Sequence, residues 1–196
     1  MFATSKSPQE SFEKAFKLTQ EAIASDEGHS IAHAHLSQLY CFKRDYEKAI
    51  AEGERAVALD PNGAMVHTYY GLTLIYAGRP EEAISFLKKA IRLNPVGPPF
   101  YFSNLGHAYR IMGRFEEAVS AYKTALERAP NSIHVHLGLG AVYSLMGHEK
   151  EARAEAAEVL RMSPKFSVDS WAKNLPYKDQ SERDKVANAL RKAGLK

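Results

Sequence analysis

Histidines are the side chains of this chain best able to bind a metal ion or to move a proton, and there are eight of them. His33 and His35 are two positions apart in a segment with helical periodicity, and so are His134 and His136. Side chains two positions apart on a helix diverge by about 200°. Neither pair can share a metal ion, so the spacing predicts no metal site.

His33, His67 and His136 occupy the same position of three similar segments, which favours a packed core role for all three. The single cysteine, Cys41, cannot form an internal disulfide and is predicted to be a small buried hydrophobic residue. The sequence contains no Gly-rich phosphate loop, no nucleophile elbow and no paired catalytic carboxylates. We therefore expect no enzyme activity, no catalytic residue and no cofactor.

Composition is that of a globular protein: 45% of the 196 residues are hydrophobic, 25% are charged, and the net charge is +3. The charge is not concentrated in a basic stripe, which argues against a nucleic-acid partner. No apolar run approaches the ~20 residues of a membrane span, and the N-terminus does not resemble a signal peptide. We therefore expect no membrane contact by this fragment and a cytoplasmic location.

Internal repetition identifies the elements that position these side chains. Four predicted helices end at Pro61, Pro95, Pro130 and Pro164, with spacings of 34, 35 and 34 residues. Small or compact residues recur in the same frame, at Ala49, Ala83, Ala118, Ala152, and again at Ala56, Ala90, Ala125 and Val159. Small residues allow two helix backbones to approach closely, so the pattern predicts stacked helix pairs.

The turn inside each predicted pair has its own signature. Gly78, Gly113 and Gly147 lie where the first helix of a pair must end, and glycine is the usual residue there. The first full repeat has Arg44 at this position instead.

The period, the turn motif "AGRPEEA" and the closing prolines resemble the tetratricopeptide repeat (TPR), whose unit is about 34 residues long. The resemblance implies an all-α, right-handed α-solenoid and a protein-protein interaction scaffold. We expect a partial first repeat over residues 1–29, containing only a second helix, and a capping segment over 165–196. The four full repeats are expected at approximately 30–63, 64–98, 99–132 and 133–166.

The tail "PKFSVDSWAKNLPYKDQSERDKVANALRKAGL" and two of the repeats also resemble the C-terminal TPR region of bacterial class III adenylate/guanylate cyclase-type proteins. That resemblance implies a regulatory or docking module of a larger signalling protein, preceded by a cyclase or another domain. No residue of a nucleotide-cyclising site can be carried over. Within the tail, Trp171, Leu175, Val186 and Leu190 are predicted to cover the exposed face of the last repeat.

In TPR stacks the first helices of the pairs line a concave groove, which is where we predict a protein or peptide segment to bind. Chaperone-binding TPR domains hold a peptide carboxylate with a clamp of Lys, Arg and Asn, but only Asn104 fits that pattern here. The groove should therefore accept an amphipathic helix or an extended apolar segment, with Asn104 and Gln38 bonding its backbone. The predicted groove residues are Gln38, Phe42, Thr68, Tyr69, Leu72, Tyr76, Phe100, Ser103, Asn104 and His107.

Self-association is the alternative function. The predicted helix over residues 8–26 carries Phe12 and Phe16 but lacks a partner helix, so one apolar side could face water and form a homodimer. Two other possibilities would cover the same strip. Residues 1–6 could fold back over it, or lysine side chains could shield it. A stand-alone TPR assembly factor remains a further alternative.

Overall fold

A computed structural model describes residues 7–196, and this part of the chain is all-α, with no strand. The hypothesis that residues 1–6 cover the first helix lies outside the described residues. Eleven helices follow one another in the described part: α1 Pro8–Ser25, α2 Ser30–Phe42, α3 Tyr46–Leu59, α4 Ala64–Tyr76, α5 Pro80–Leu93, α6 Phe100–Ile111, α7 Phe115–Arg128, α8 Ile133–Met146, α9 Glu149–Met162, α10 Val168–Lys173 and α11 Gln180–Lys192.

Four helix pairs form the body of the molecule: α2 with α3, α4 with α5, α6 with α7, and α8 with α9. The first helices of neighbouring pairs also contact one another, and each second helix contacts the first helix of the next pair. This is the predicted right-handed solenoid, and the prediction of fold class is confirmed. The small residues of the repeat frame are buried between the paired helices, with Ala49, Ala83 and Ala118 each 0% exposed.

The turns within the pairs need a left-handed backbone conformation. Gly78, Gly113 and Gly147 have φ angles of 82°, 70° and 77°. Arg44 occupies the equivalent position with φ 62°, and it is the non-glycine residue with positive φ in the described chain. A side chain disfavours this conformation, so the first turn carries backbone strain that the other three avoid.

One aromatic ring from an outer helix passes between two inner helices. Tyr122 of α7 lies against Gly106 of α6, where an added Cβ would sit 2.9 Å from the ring's Cγ. On the other side the ring lies against Gly138 of α8, where an added Cβ would overlap it. The two glycines therefore create the gap through which the Tyr122 side chain reaches the concave face.

The tail divides into two parts with different roles. Helix α11 packs against α8, and Leu190 and Val186 are 0% and 3% exposed, as expected of a cap. Residues 174–179, which we call the crossing segment, do not stay with the last repeat. They run back along the inner side of the solenoid to the turn between α2 and α3. Helix α11 thus contacts the first helix of the last repeat, whereas Leu175 lies in the crossing segment, which follows another path.

At the other end, α1 packs on α2. Phe16 is 9% exposed and lies edge-on to Tyr40, with a ring-centroid distance of 5.5 Å. Phe12 is half-buried, 6.5 Å from the ring of Phe42. Both phenylalanines proposed for self-association thus pack within the chain, while Leu18 on the same helix is 53% exposed.

None of the helices within residues 7–196 combines the length and the apolar character needed to cross a membrane.

Candidate protein-binding groove

The concave side of the solenoid holds a cavity of about 530 Å³ between the inner helices and the tail. Inner helices α2, α4, α6 and α8 form its floor, and the crossing segment with Trp171 forms one wall. The lining is mainly apolar, with a few polar groups, as in sites that bind peptides or small molecules. Its principal side chains are Phe42, Leu72, Phe100, Asn104, His134 and Leu137.

Seven of the ten predicted groove residues line this cavity: Phe42, Leu72, Tyr76, Phe100, Ser103, Asn104 and His107. The other three do not. Thr68 is 0% exposed and its hydroxyl donates to the Ala64 carbonyl, so it packs inside the stack. Tyr69 supports the groove from the side, with its ring 6.1 Å from that of Phe100.

Gln38 is the third predicted residue outside the cavity lining. Its amide nitrogen donates to the Tyr69 carbonyl at 2.8 Å and to the Thr73 hydroxyl at 2.6 Å. These bonds join α2 to α4. The Gln38 amide nitrogen, which we predicted to bond the backbone of a ligand, is therefore already occupied. Asn104, by contrast, has no hydrogen-bond partner for its side chain among the described residues, so its donor and acceptor remain available.

Arg44 holds the crossing segment at the far edge of the groove. Its Nη1 donates to the Tyr177 carbonyl at 2.7 Å and its Nη2 to the Leu175 carbonyl at 2.8 Å. The Tyr46 hydroxyl donates to the carbonyl of Pro176 at 3.3 Å. These contacts join positions 130 to 133 residues apart in the sequence, so they close the solenoid across its concave face.

The Tyr177 side chain makes the deepest contact of the segment. Arg110 Nη2 donates to the Tyr177 hydroxyl at 2.8 Å, and the hydroxyl is also hydrogen-bonded to His107 Nε2. Burial and then the Arg110 charge hold the pKa of His107 well below its usual value, so this ring is neutral and can accept the hydroxyl proton. The hydroxyl of Tyr177 thus accepts from Arg110 and donates to His107.

The cluster extends toward the inner end of Tyr122, which lines the same cavity. Burial raises the pKa of Tyr122 to about 12, although the Arg110 charge acts in the opposite direction. Burial likewise raises the pKa of Tyr76, whose ring lies 5.4 Å from that of Tyr177. The phenols therefore stay protonated at neutral pH. Arg110, 5% exposed, makes no ion pair with a carboxylate in the described chain.

Sequence reasoning did not identify the tail as one side of the groove, nor the two arginines that hold the tail there. The residues missed are Arg44, Arg110, Trp171, Asn174, Leu175, Pro176 and Tyr177. Two local signals pointed there. Arg44 replaces the turn glycine of the other repeats, and "LPY" places apolar and aromatic residues at a break between helices. Neither signal says which distant surface the segment meets.

The histidines that recur in the repeat frame are structural. His33 Nδ1 lies 2.6 Å from Glu52 and His136 Nδ1 lies 2.6 Å from Glu155, each ring also contacting a backbone carbonyl of the preceding turn. His67 is hydrogen-bonded to the Pro61 carbonyl and stacks on the ring of Phe86, where the other two histidines have a glutamate partner.

Cys41 is 0% exposed, and burial raises the pKa of its thiol to about 12, so it packs as the small hydrophobic residue that we predicted. Within residues 7–196, no cluster of three or more His, Cys, Asp or Glu side chains is arranged to hold a metal ion.

Comparison with known families supports the repeat frame. Two models of the tetratricopeptide repeat match residues 36–98 and 101–165, which between them span most of the four helix pairs. No curated protein matches the chain. Both matching family models describe the tetratricopeptide repeat, and they give no support to the predicted resemblance to cyclase-type proteins.

Solved structures of similar fold include PilW, a type IV pilus biogenesis factor, with 20% identity and a TM-score of 0.72 over 93% of this chain and 82% of that one. A thermophilic TPR protein of Thermus thermophilus has 24% identity and a TM-score of 0.70, over 92% of this chain and 91% of that one. The crystal structure of MamA has 25% identity and a TM-score of 0.57, over 77% and 88%. These likenesses agree on the fold.

Proposed function

Since this chain belongs to the tetratricopeptide repeat family, we propose that it is a non-catalytic scaffold that binds a segment of another protein in its concave groove. The observation that carries the proposal is the cavity of about 530 Å³ on the inner helices. Apolar and aromatic side chains form most of its lining, with a small number of polar groups among them, which suits a protein segment better than a charged or highly polar ligand.

Three features of the cavity support a protein segment as the occupant. Phe42 is 50% exposed at the edge of the cavity, so its apolar ring is accessible to a bound segment. Phe100 lies in the wall, held in place by the ring of Tyr69. The free amide of Asn104 can pair with a backbone N–H or C=O of the bound segment.

Selection of peptides from a displayed random library against the wild-type chain tests the proposal. Selected peptides should lose at least about 30-fold in affinity with Phe100→Ala, because truncation of a buried aromatic anchor commonly costs ~2 kcal/mol or more. Asn104→Ala should cost about tenfold, the effect of one lost hydrogen bond in a dry site.

Val96→Ala is the matched control, since Val96 is an exposed apolar side chain, 89% accessible, outside the cavity. Affinity should be unchanged in this variant, and circular dichroism should show native helix content in all three. Selected peptides that bind both groove variants as tightly as the wild type would contradict the assignment of the ligand site to this cavity.

The larger context stays part of the proposal. On the sequence resemblance alone, we propose that this module belongs to a larger bacterial signalling protein of the cytoplasm. In that protein a cyclase or another regulatory domain would be attached to the module. The genomic sequence upstream of Met1 is the direct check of this point.

Self-association is the second candidate, and one observation favours it. Leu18 is 53% exposed on α1, a helix that contacts α2 but has no helix on its other side in the described chain. Phe12 and Phe16, which we predicted to form that surface, are directed at Phe42 and Tyr40 instead.

A further inference from the structure

We propose that the crossing segment, residues 174–179, is a built-in ligand of the groove that a partner displaces, and that the partner is an extended segment carrying an apolar residue, a proline and a tyrosine in that order. This inference rests on the proposed function and deepens it by naming the kind of segment that binds. It is based on the hydrogen bonds that hold Leu175, Pro176 and Tyr177 of this chain in the groove.

The first support is the strained turn at Arg44. The equivalent positions of the other three repeats are glycines with positive φ, whereas Arg44 adopts φ 62° with a full side chain. A residue with a side chain is disfavoured in such a conformation, which persists only where the surrounding structure stabilises it. Here the guanidinium binds two carbonyls of the crossing segment, at 2.7 and 2.8 Å. The strain of the turn therefore serves capture of this segment.

The second support is that the segment is held mainly through its backbone. Arg44 and Tyr46 donate to the three consecutive carbonyls from Leu175 to Tyr177. The Lys178 amide donates to the Tyr76 carbonyl at the end of α4, at 2.8 Å. Such contacts recognise any extended chain, so another polypeptide can make all four of them.

The third support is the side-chain specificity at one position. Tyr177 is 4% exposed, with its hydroxyl between a buried cation, Arg110, and a neutral imidazole, His107. Removal of the segment would take the Tyr177 hydroxyl away from the guanidinium, which makes no ion pair with a carboxylate in the described chain. A competing segment must therefore offer a hydroxyl or another acceptor at this point, and tyrosine has the required reach.

The fourth support is that the segment can leave without unfolding the cap. Helix α11 is fixed independently to α8, with Leu190 0% exposed, and α10 buries Val168. The segment itself has no helix or strand structure over residues 174–178. Because the segment is tethered, it competes for the groove at an effective concentration on the order of millimolar. A partner displaces it only if its own binding free energy exceeds that of the tethered segment at this concentration.

A peptide with the sequence of residues 172–181, acetylated, amidated and labelled with fluorescein, is the probe. Binding to the full chain is measured by fluorescence anisotropy. In Tyr177→Ala the tail loses its anchor while the groove is intact, so this variant should bind the probe at least about tenfold more tightly than the wild type. A probe with alanine in place of its tyrosine should lose about tenfold, the worth of one charge-assisted hydrogen bond.

Arg44→Gly is the second variant, and it cannot fail through strain because glycine is the residue of the other three turns. Combined with Tyr177→Ala, it should weaken probe binding about tenfold relative to Tyr177→Ala alone, because the probe's carbonyls lose their donor. Alone, it should speed tryptic cleavage after Lys178 by about tenfold, because the segment loses two hydrogen bonds to a charged group. Arg79→Ala, in the next turn, removes a side chain that is paired with Glu82; it is the control and should change neither result.

Three outcomes overturn the proposal. If Tyr177→Ala has native helix content but binds the probe no better than the wild type, or if Arg44→Gly leaves cleavage unchanged, the segment is a permanent part of the fold. If the wild type dimerises and Tyr177→Ala does not, the segment is exchanged between copies of this chain. Library peptides that still bind the wild type through Phe100 would leave the proposed function intact in either case, whereas loss of that binding would refute the function itself.

Discussion

At the residue scale, the groove is organised by one phenol between a cation and a neutral imidazole. The hydroxyl of Tyr177 accepts from Arg110 and donates to His107. Burial and then the Arg110 charge hold the pKa of His107 well below its usual value, and an unprotonated ring nitrogen is the acceptor that the Tyr177 hydroxyl needs. His107 and Arg110 belong to α6 and Tyr177 to the crossing segment, so these contacts join an inner helix to the tail.

Acidification should therefore destabilise the folded chain. His107 has its usual pKa of about 6.5 when unfolded and a lowered pKa when folded. Above about pH 7 it is neutral in both states and has no effect. As the pH falls below about 6.5, the unfolded chain binds a proton that the folded chain refuses, so stability drops by up to ~1.4 kcal/mol per pH unit. Thermal unfolding at pH 7.5 and pH 5.5 measures this drop.

His107→Gln isolates the contribution of this residue, because the Gln oxygen can still accept from Tyr177 but does not titrate. Burial also lowers the pKa of His35 and His67, and both remain in the variant. The fall in melting temperature between the two pH values should be smaller in His107→Gln than in the wild type. Equal falls would show that His107 is not the group responsible.

At the element scale, glycines of the inner helices decide how closely the helices pack and what passes between them. Tyr122 of α7 reaches the concave face only because Gly106 and Gly138 leave space on either side of its ring. Gly140 lies on the same helix as Gly138 but has ordinary space around it, since an added Cβ would be 3.5 Å from its nearest neighbour, Glu155. Gly138 is therefore needed to leave room for a ring, whereas the space at Gly140 would accept a Cβ.

Alanine at these two positions should act in opposite directions. Gly138→Ala forces the Tyr122 ring out of its slot and should lower the free energy of unfolding by about 1–3 kcal/mol, the usual cost of overpacking. Gly140→Ala should raise it by about 0.5–1 kcal/mol, because alanine loses less entropy than glycine in a helix. Urea unfolding of both variants provides the measurement, and a stabilised Gly138→Ala would show that the ring has another place to go.

At the scale of the whole molecule, the tail closes the solenoid and α1 begins it. The Arg44 contacts with residues 175 and 177 join the first full repeat to the tail, while α11 covers the last inner helix. The outer side of α1 has no helix against it in the described chain, and it presents Leu18. A surface of this kind can pair with its own copy across a two-fold axis.

We expect a concentration-dependent dimer of the isolated chain through α1. Leu18→Glu should shift the equilibrium to the monomer, because it places a charge in the apolar contact. Lys17→Glu changes charge on the same helix without removing apolar surface and is the control. Sedimentation velocity across a wide concentration range measures the effect, and a strictly monomeric wild type would exclude this interface.

The sequence alone was sufficient for the helix pairs and for most of the groove floor. The spacing of Pro61, Pro95, Pro130 and Pro164 sets the repeat, and the small residues in that frame are buried where close packing requires them. Seven of the ten residues predicted from the same frame line the cavity. Contacts within and between adjacent repeats recur at a fixed period, so they leave a pattern of residue types that a single chain displays.

Tertiary structure alone decided the path of the crossing segment and the availability of individual side chains. Arg44 meets the tail 131 and 133 residues away, and it binds backbone carbonyls, which every residue carries and no sequence pattern marks. The same holds for Gln38, whose amide is engaged by the neighbouring helix rather than free. Period and residue type determine which helix faces the groove. Hydrogen bonds to backbone groups far away in the sequence depend instead on where the chain passes in space.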